Sequence, residues 1–114
     1  MIPEITVNDL AEKLQSDEKF ILLDVREPSE LNQARIADRR LEVLPLSRLA
    51  NEGINALSEA ASSQAIPVYV ICHHGNRSMQ VTAWLQQQGY KQVINVRGGI
   101  DEYARRVDRS VGLY

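Results

Sequence analysis

The chain has 114 residues, of which 44% are hydrophobic and 25% are charged, and its net charge is −2. These values predict one folded domain and exclude a basic surface built for nucleic acid. No apolar run is long enough for a signal peptide or a membrane span, so we expect a cytoplasmic monomer that binds neither nucleic acid nor membranes.

Short apolar runs alternate with amphipathic stretches, the pattern of strands joined by helices in a parallel sheet. The predicted elements of the first half are a strand at 4–6, a helix begun by a capping box at Thr6 and Asp9, a buried strand over 20–23, a short helix from Pro28 to Leu31 and a weaker strand over 41–46. A helix is expected from Ser47, interrupted at Gly53.

In the second half of the sequence, a predicted strand is followed directly by a cysteine at its carboxyl end. Residues 68–71 are β-branched or aromatic and are followed by Cys72, the only cysteine in the chain. A helix is expected from Arg77 to just before Gly89, then a strand over 93–96, a turn at Gly98 and Gly99 that needs close backbone approach, and a final helix over 100–107. The cysteine therefore lies in a strand-to-helix loop, where open parallel sheets bind their ligands.

This loop, residues 72–77, has the sequence CHHGNR, which is suited to binding an anion. Successive N–H groups in a tight loop and the positive end of the following helix stabilise negative charge, so we expect Cys72 as a thiolate. Arg77 adds a fixed positive charge, Gly75 is expected at positive φ, and Ser78 is expected to cap the helix. An inert core cysteine is the alternative, but the polar residues that follow Cys72 offer little apolar packing.

His73 and His74 raise the question of a metal site. Together with Cys72 they make three candidate ligands, and the sequence contains no second Cys/His cluster. Structural zinc sites take four ligands, so we expect neither a metal nor another cofactor. The two imidazoles are expected to line the pocket mouth, to polarise an acceptor, or to stay solvated.

Three segments together resemble the rhodanese family of sulfurtransferases: LLDVREPSE at 22–30, VICHHGNRS at 70–78 and VRGGIDEY at 96–103. The resemblance covers residues 1–114 as a single rhodanese-like domain. It implies a three-layer α/β fold with a central five-stranded parallel sheet flanked by helices. The closing segment, VDRSVGLY, is similar to the tails of rhodanese domains attached to ubiquitin-activating-like sulfur-transfer enzymes.

The resemblance also implies a reaction: Cys72 takes sulfane sulfur from thiosulfate or another donor as a persulfide and passes it to a thiophilic acceptor. The loop residues expected to bind the substrate are His73, His74, Gly75, Asn76 and Arg77. Those expected to support the loop from behind are Asp24, Arg26 and Ser78, with a purely structural Asp24–Arg26 ion pair as the alternative. Candidate partners are a sulfur-carrier protein, thioredoxin or a ubiquitin-activating-like enzyme.

Two other functions are weighed against sulfur transfer. Cysteine phosphatases of the dual-specificity type hold five residues between cysteine and arginine, whereas Cys72 and Arg77 enclose four. Fewer amides suit one sulfur atom better than a phosphoryl group with three outer oxygens. The other alternative is a non-catalytic rhodanese-like module that binds a partner protein, and the presence of Cys72 argues against it.

Overall fold

A five-stranded parallel sheet forms the centre of the computed structural model, which describes residues 1–114. The strands are β1 (Glu4–Ile5), β2 (Ile21–Asp24), β3 (Leu41–Val43), β4 (Val68–Ile71) and β5 (Val93–Val96). The helices are α1 (Val7–Leu14), α2 (Pro28–Leu31), α3 (Leu46–Glu52), α4 (Glu59–Ser62), α5 (Asn76–Gln87) and α6 (Gly99–Arg106). Two 3₁₀ turns cover Gly53–Ala56 and Arg109–Val111.

The strands lie in the order β1-β5-β4-β2-β3, so β4 is central and pairs with both β2 and β5. Every residue of β2 and β4 is buried. Their continuous apolar sequences suit this position, because a parallel strand covered on both faces has no polar side. The predicted five-stranded parallel α/β fold is confirmed.

Helices cover both faces of the sheet and bury a separate apolar cluster on each. On one face the buried contacts include Val7 and Leu10 of α1, Ile100 and Tyr103 of α6, and Leu22 and Ile71 of the sheet. On the other face they include Leu49 of α3, Ala61 of α4, Val81 and Leu85 of α5, and Leu23 and Val70 of the sheet. The sheet is thus fixed from both sides, and its loops are free to carry polar groups.

Several predicted boundaries need correction. The third strand ends at Val43, although the N–H groups of Leu44 and Leu46 still donate to the carbonyls of Asp24 and Val25. Helix α3 begins directly after Pro45. Helix α4 was not predicted; Ser58 caps it by accepting a hydrogen bond from the Ala61 N–H at 3.1 Å. The Thr6 cap of α1 is confirmed, since its hydroxyl accepts from the Asp9 N–H at 3.2 Å. None of the helices has the length and apolar character to cross a membrane.

Candidate active site

Cys72 directly follows β4, the central strand, and its sulfur lies among hydrogen-bond donors. Its Sγ accepts from the N–H of Gly75 at 3.1 Å and from the N–H of Ser78 at 3.3 Å, and the Ser78 Oγ is also 3.3 Å away. The residue is only 1% exposed. Cys72 also belongs to the apolar cluster on one face of the sheet, so the expectation that it has little apolar packing is wrong. What distinguishes it from an inert core cysteine is the set of three polar neighbours at its sulfur.

Gly75 shapes the loop around this sulfur. It has a φ of 101° and occupies the N-cap position of α5. A Cβ atom at Gly75 would lie 3.1 Å from the backbone nitrogen of Gly98, so glycine is also favoured by the close approach of the second turn. The predicted positive φ of Gly75 is confirmed.

Ser78 has a different role from the predicted cap. It is the third residue of α5, and the N-cap position of this helix is filled by Gly75 without a side-chain hydrogen bond. The hydroxyl of Ser78 turns toward the Cys72 sulfur instead. Ser78 thus contacts the Cys72 sulfur directly, and the prediction that its side chain caps the helix is wrong.

The amino end of α6 holds the cysteine loop from the other side. The N–H of Ile100 donates to the Cys72 carbonyl at 2.9 Å, and the N–H of Asp101 donates to the His73 carbonyl at 3.0 Å. Gly99 has a φ of 63°, and a Cβ there would lie 2.5 Å from both of these carbonyl oxygens. The predicted close backbone approach at the double glycine is therefore confirmed.

Arg77 lies in the first turn of α5, but its guanidinium pairs with Glu30. Two parallel hydrogen bonds join them, from Nη1 to Oε2 at 2.7 Å and from Nη2 to Oε1 at 2.9 Å. Hydrogen bonding to Arg77 lowers the pKa of Glu30 to about 2, and the same contact raises the pKa of Arg77. Glu30 was not predicted as a site residue; its only local signal is the capping box at the start of α2, where its carboxylate accepts from the Glu27 N–H.

Asp24 and Arg26 form a buried ion pair behind the loop, 2% and 0% exposed. The Arg26 guanidinium donates to Asp24 from Nη2 at 2.7 Å and from Nε at 3.0 Å. Arg26 Nη1 also donates to the Tyr114 hydroxyl at 3.1 Å, and that hydroxyl donates to Glu30 Oε1 at 2.9 Å. The pair is connected, through Tyr114 and Glu30, to Arg77.

The two histidines are arranged as a stack with Tyr114. The His73 and Tyr114 rings lie 3.8 Å apart and 6° from parallel, and the His73 and His74 rings lie 3.9 Å apart. Burial, with a smaller contribution from the charge of His74, lowers the pKa of His73, so its ring is neutral at pH 7. The Nε2 atom of His73 is buried without a hydrogen-bond partner, whereas the side chain of His74 is 60% exposed.

His73, His74 and Asp101 are the one group of side chains close enough together to suggest a metal ion. Their ligand atoms lie within 4.8 Å of one another, with 3.8 Å between His74 Nδ1 and Asp101 Oδ2. The group offers three ligands, one fewer than a structural zinc site takes, and Asp101 is already paired with Arg105. Cys72 is not part of the group, and we assign no metal to it.

Asn76 completes the loop as the first, exposed residue of α5. The N–H groups of Asn76 and Arg77 belong to the first helical turn, where the helix itself offers them no acceptor. The structure therefore brings all the predicted loop residues to the amino end of one helix. The groups that sequence reasoning missed are Glu30 and Tyr114, which join the site from distant parts of the chain.

Comparisons with known proteins place this geometry in context. The sequence model of the family described as "Rhodanese-like domain" matches residues 6–106. The chain is 34% identical to a sulfurtransferase of Allochromatium vinosum, covering 92% of this chain and 91% of that protein. It is 37% identical to the chloroplastic rhodanese-like/PpiC domain-containing protein 12 of Arabidopsis thaliana, covering 99% of this chain but only 38% of that protein. Among solved structures, a rhodanese-related protein of Thermoplasma volcanium superposes with a TM-score of 0.74 and 32% identity, covering 92% of this chain and 93% of that one.

Proposed function

The chain belongs to the rhodanese-like domain family, and on that premise we propose that residues 1–114 act as a single sulfurtransferase domain with Cys72 as nucleophile. The observation that carries the proposal is the set of contacts at the Cys72 sulfur, two backbone N–H groups and one hydroxyl within 3.3 Å. The two N–H donors stabilise a thiolate, the Ser78 hydroxyl is free to donate to the sulfur once the thiol proton is lost, and the same groups would stabilise a persulfide anion.

In the first half-reaction the Cys72 thiolate attacks the outer sulfur of thiosulfate. The new bond joins Sγ to that sulfur, and the sulfur–sulfur bond of thiosulfate breaks. Sulfite leaves with the electron pair, and the enzyme keeps a persulfide anion. No proton is consumed, so this step needs no general acid.

In the second half-reaction a thiolate or cyanide attacks the outer sulfur of the persulfide. The bond between the two sulfur atoms breaks, and its electron pair returns to Cys72 as a thiolate. The free N–H groups of Asn76 and Arg77 are suited to receive the outer sulfur between the two steps. The two half-reactions predict ping-pong kinetics.

The proposal is tested by the mass of the intact protein after incubation with thiosulfate in the absence of reductant. We expect the wild type to gain one sulfur atom and Cys72→Ser to gain none. A folded wild type that stays unmodified would contradict sulfur transfer and would favour a partner-binding module.

A matched control asks whether the site, and not merely a thiol, causes the loading. Ser62→Cys in the Cys72→Ser background puts a cysteine on the exposed face of α4, away from any loop of this kind. We expect this variant to gain no sulfur. Equal loading of the two cysteines would mean that sulfur attaches to any thiol under these conditions.

The donor and acceptor inside the cell are further parts of the proposal. Thiosulfate is a convenient donor, and a sulfur-carrier protein, thioredoxin or a ubiquitin-activating-like enzyme is a candidate partner for the transfer, in a cytoplasmic setting. Support comes from the similarity of residues 107–114 to the tails of rhodanese domains joined to such enzymes. The rate of sulfur transfer from the thiosulfate-loaded protein to each candidate acceptor ranks the acceptors.

A further inference from the structure

The segment that follows α6 folds back over the cysteine loop and is held there by backbone contacts. The Val111 carbonyl accepts from the Arg35 N–H at 3.0 Å. The next residue, Gly112, has a φ of 108°, and a Cβ there would collide with the carbonyl oxygen of Gln33. A substitution-intolerant glycine at this point fixes the path of the segment and brings Tyr114 to the active site.

Tyr114 contacts the site through two different parts of its side chain. The ring stacks on His73 at a centroid distance of 3.8 Å. The hydroxyl accepts from Arg26 and donates to Glu30, which in turn binds Arg77 through two hydrogen bonds. One residue thus touches the histidine that follows the nucleophile and the carboxylate that holds the arginine.

The chemistry of these contacts suits a fixed arrangement. Burial raises the pKa of Tyr114, so its hydroxyl remains a proton donor to Glu30 across the neutral range. The neutral His73 ring has a buried Nε2 without a hydrogen-bond partner, so no polar contact of that atom orients the ring. The His73 ring lies between the Tyr114 ring, 6° from parallel to it, and the His74 ring, tilted by 31°, and these contacts restrain it.

We propose that Tyr114 is a positioning residue for sulfur transfer: its hydroxyl sets Arg77 through Glu30 for the anionic donor, and its ring holds the side chain of His73, the loop residue that follows Cys72. The inference rests on the proposed function and extends it to a residue outside the cysteine loop. The two parts of the side chain serve different half-reactions, and two substitutions separate them.

Tyr114→Phe keeps the stack and removes the hydroxyl. We expect the KM for thiosulfate to rise by roughly three- to tenfold, the effect of one lost hydrogen bond, with kcat unchanged. Tyr114→Leu removes the stack as well, and we expect a further fall of roughly tenfold in the rate of sulfur transfer from the preloaded enzyme to cyanide. Compared with Tyr114→Leu, Tyr114→Phe is therefore expected to restore sulfur transfer to the acceptor and not the binding of thiosulfate.

The position of His73 has a readout that is independent of activity. The protein has two histidines, so NMR titration of their ring protons, assigned with His74→Asn, follows His73 alone. We expect the pKa of His73 to move up toward its usual value in Tyr114→Leu, since the ring loses its cover, and to stay low in Tyr114→Phe. Leu113→Ala changes the neighbouring exposed residue and is expected to match the wild type in every measurement.

The outcomes distinguish the two proposals. A wild type that forms no persulfide overturns the proposed function and this inference with it. A wild type that forms the persulfide while Tyr114→Leu keeps either a wild-type His73 pKa or a wild-type transfer rate overturns the role of Tyr114 alone. The same holds if Tyr114→Phe shows no change in KM.

Discussion

Glu30 accepts two hydrogen bonds from the guanidinium of Arg77. If Arg77 also binds an anionic sulfur donor, that contact must use its other N–H groups. A bidentate pair of this kind fixes the plane of the guanidinium and leaves its remaining N–H groups available. Glu30 can therefore orient Arg77 without removing it from the donor site. The role of Arg77 in binding the donor stays a prediction, and two substitutions test it.

Arg77→Lys keeps the charge but loses the planar group that binds two oxygens at once. We expect kcat/KM for thiosulfate to fall roughly tenfold. Glu30→Gln retains Arg77 and one acceptor oxygen, so we expect a smaller loss. Equal losses in steady-state kinetics would mean that the pair acts only by holding the helix, and that Arg77 does not contact the donor.

The sequence predicts best those residues whose contacts lie close to them in the chain. Cys72 and Gly75 belong to one short loop, and their roles follow from the strand before it and the helix after it. Glu30 and Tyr114 were missed because the hydrogen bonds that define them join residues 47 and 84 positions apart. No local pattern signals such contacts.

Among the structural elements, the Gly98–Gly99 turn that opens α6 controls the shape of the cysteine loop. It places the N–H groups of Ile100 and Asp101, in the first turn of α6, against the Cys72 and His73 carbonyls, and Gly99 allows the two backbones to touch. The turn lies beyond β5, in a part of the chain with no reactive side chain of its own. It acts through the backbone and so determines where the sulfur sits.

Gly99→Ala tests this contact, with Gly89→Ala as its control. Both glycines have positive φ, but a Cβ at Gly89 meets no atom within 4 Å, whereas one at Gly99 collides with the cysteine loop. We expect Gly89→Ala to lose about 1–2 kcal/mol of unfolding free energy from backbone strain, and Gly99→Ala to lose more, because its Cβ also collides with two backbone carbonyls. Only Gly99→Ala should also lose sulfur loading, by roughly ten- to hundredfold. Equal loading rates in the two variants would contradict a role for the turn.

The elements themselves were predicted best where the signal was strong and local. Strands β2, β4 and β5 follow from apolar runs, and α1 follows from its cap. The region between β3 and β4 was predicted less well, because Gly53 and Ser58 divide it into three short helical pieces. Pieces of this length are stabilised by packing against the sheet and not by their own sequence.

Across the whole molecule, one polar network ties distant parts of the fold together. It runs from Asp24 and Arg26 at the end of β2, through Tyr114, to Glu30 of α2 and Arg77 of α5. The resemblance implied the five-stranded sheet whose strand ends carry part of this network. The network was not predicted, because its residues are far apart in the sequence and come together only in the folded protein.

The stability of the molecule should depend on pH through Glu30. Its pKa falls from 4.5 to about 2 on folding, so its contribution is present above pH 4.5 and is lost as the pH drops toward 2. We expect Glu30→Gln to lose about 2 kcal/mol at pH 7, since partial exposure screens the full shift, and the difference from the wild type to shrink below pH 4.5 and to be smallest near pH 2. Urea unfolding at several pH values measures this difference.

The control for that titration is Glu52→Gln, which breaks an exposed ion pair with Arg48. Its effect should be small at every pH, because surface pairs contribute little. A constant difference between the wild type and Glu30→Gln from pH 3 to pH 7 would mean that the carboxylate of Glu30 is not stabilised by folding.

The strand order has a consequence for the newly made protein. Cys72 follows the central strand, but β5 and the turn that binds its loop come 20 or more positions later in the chain. Chains emerge from the ribosome amino end first, so the cysteine leaves it before the segments that enclose it. Until those segments arrive, the thiol is more exposed than in the folded protein, where Cys72 is 1% exposed, and so more open to oxidation.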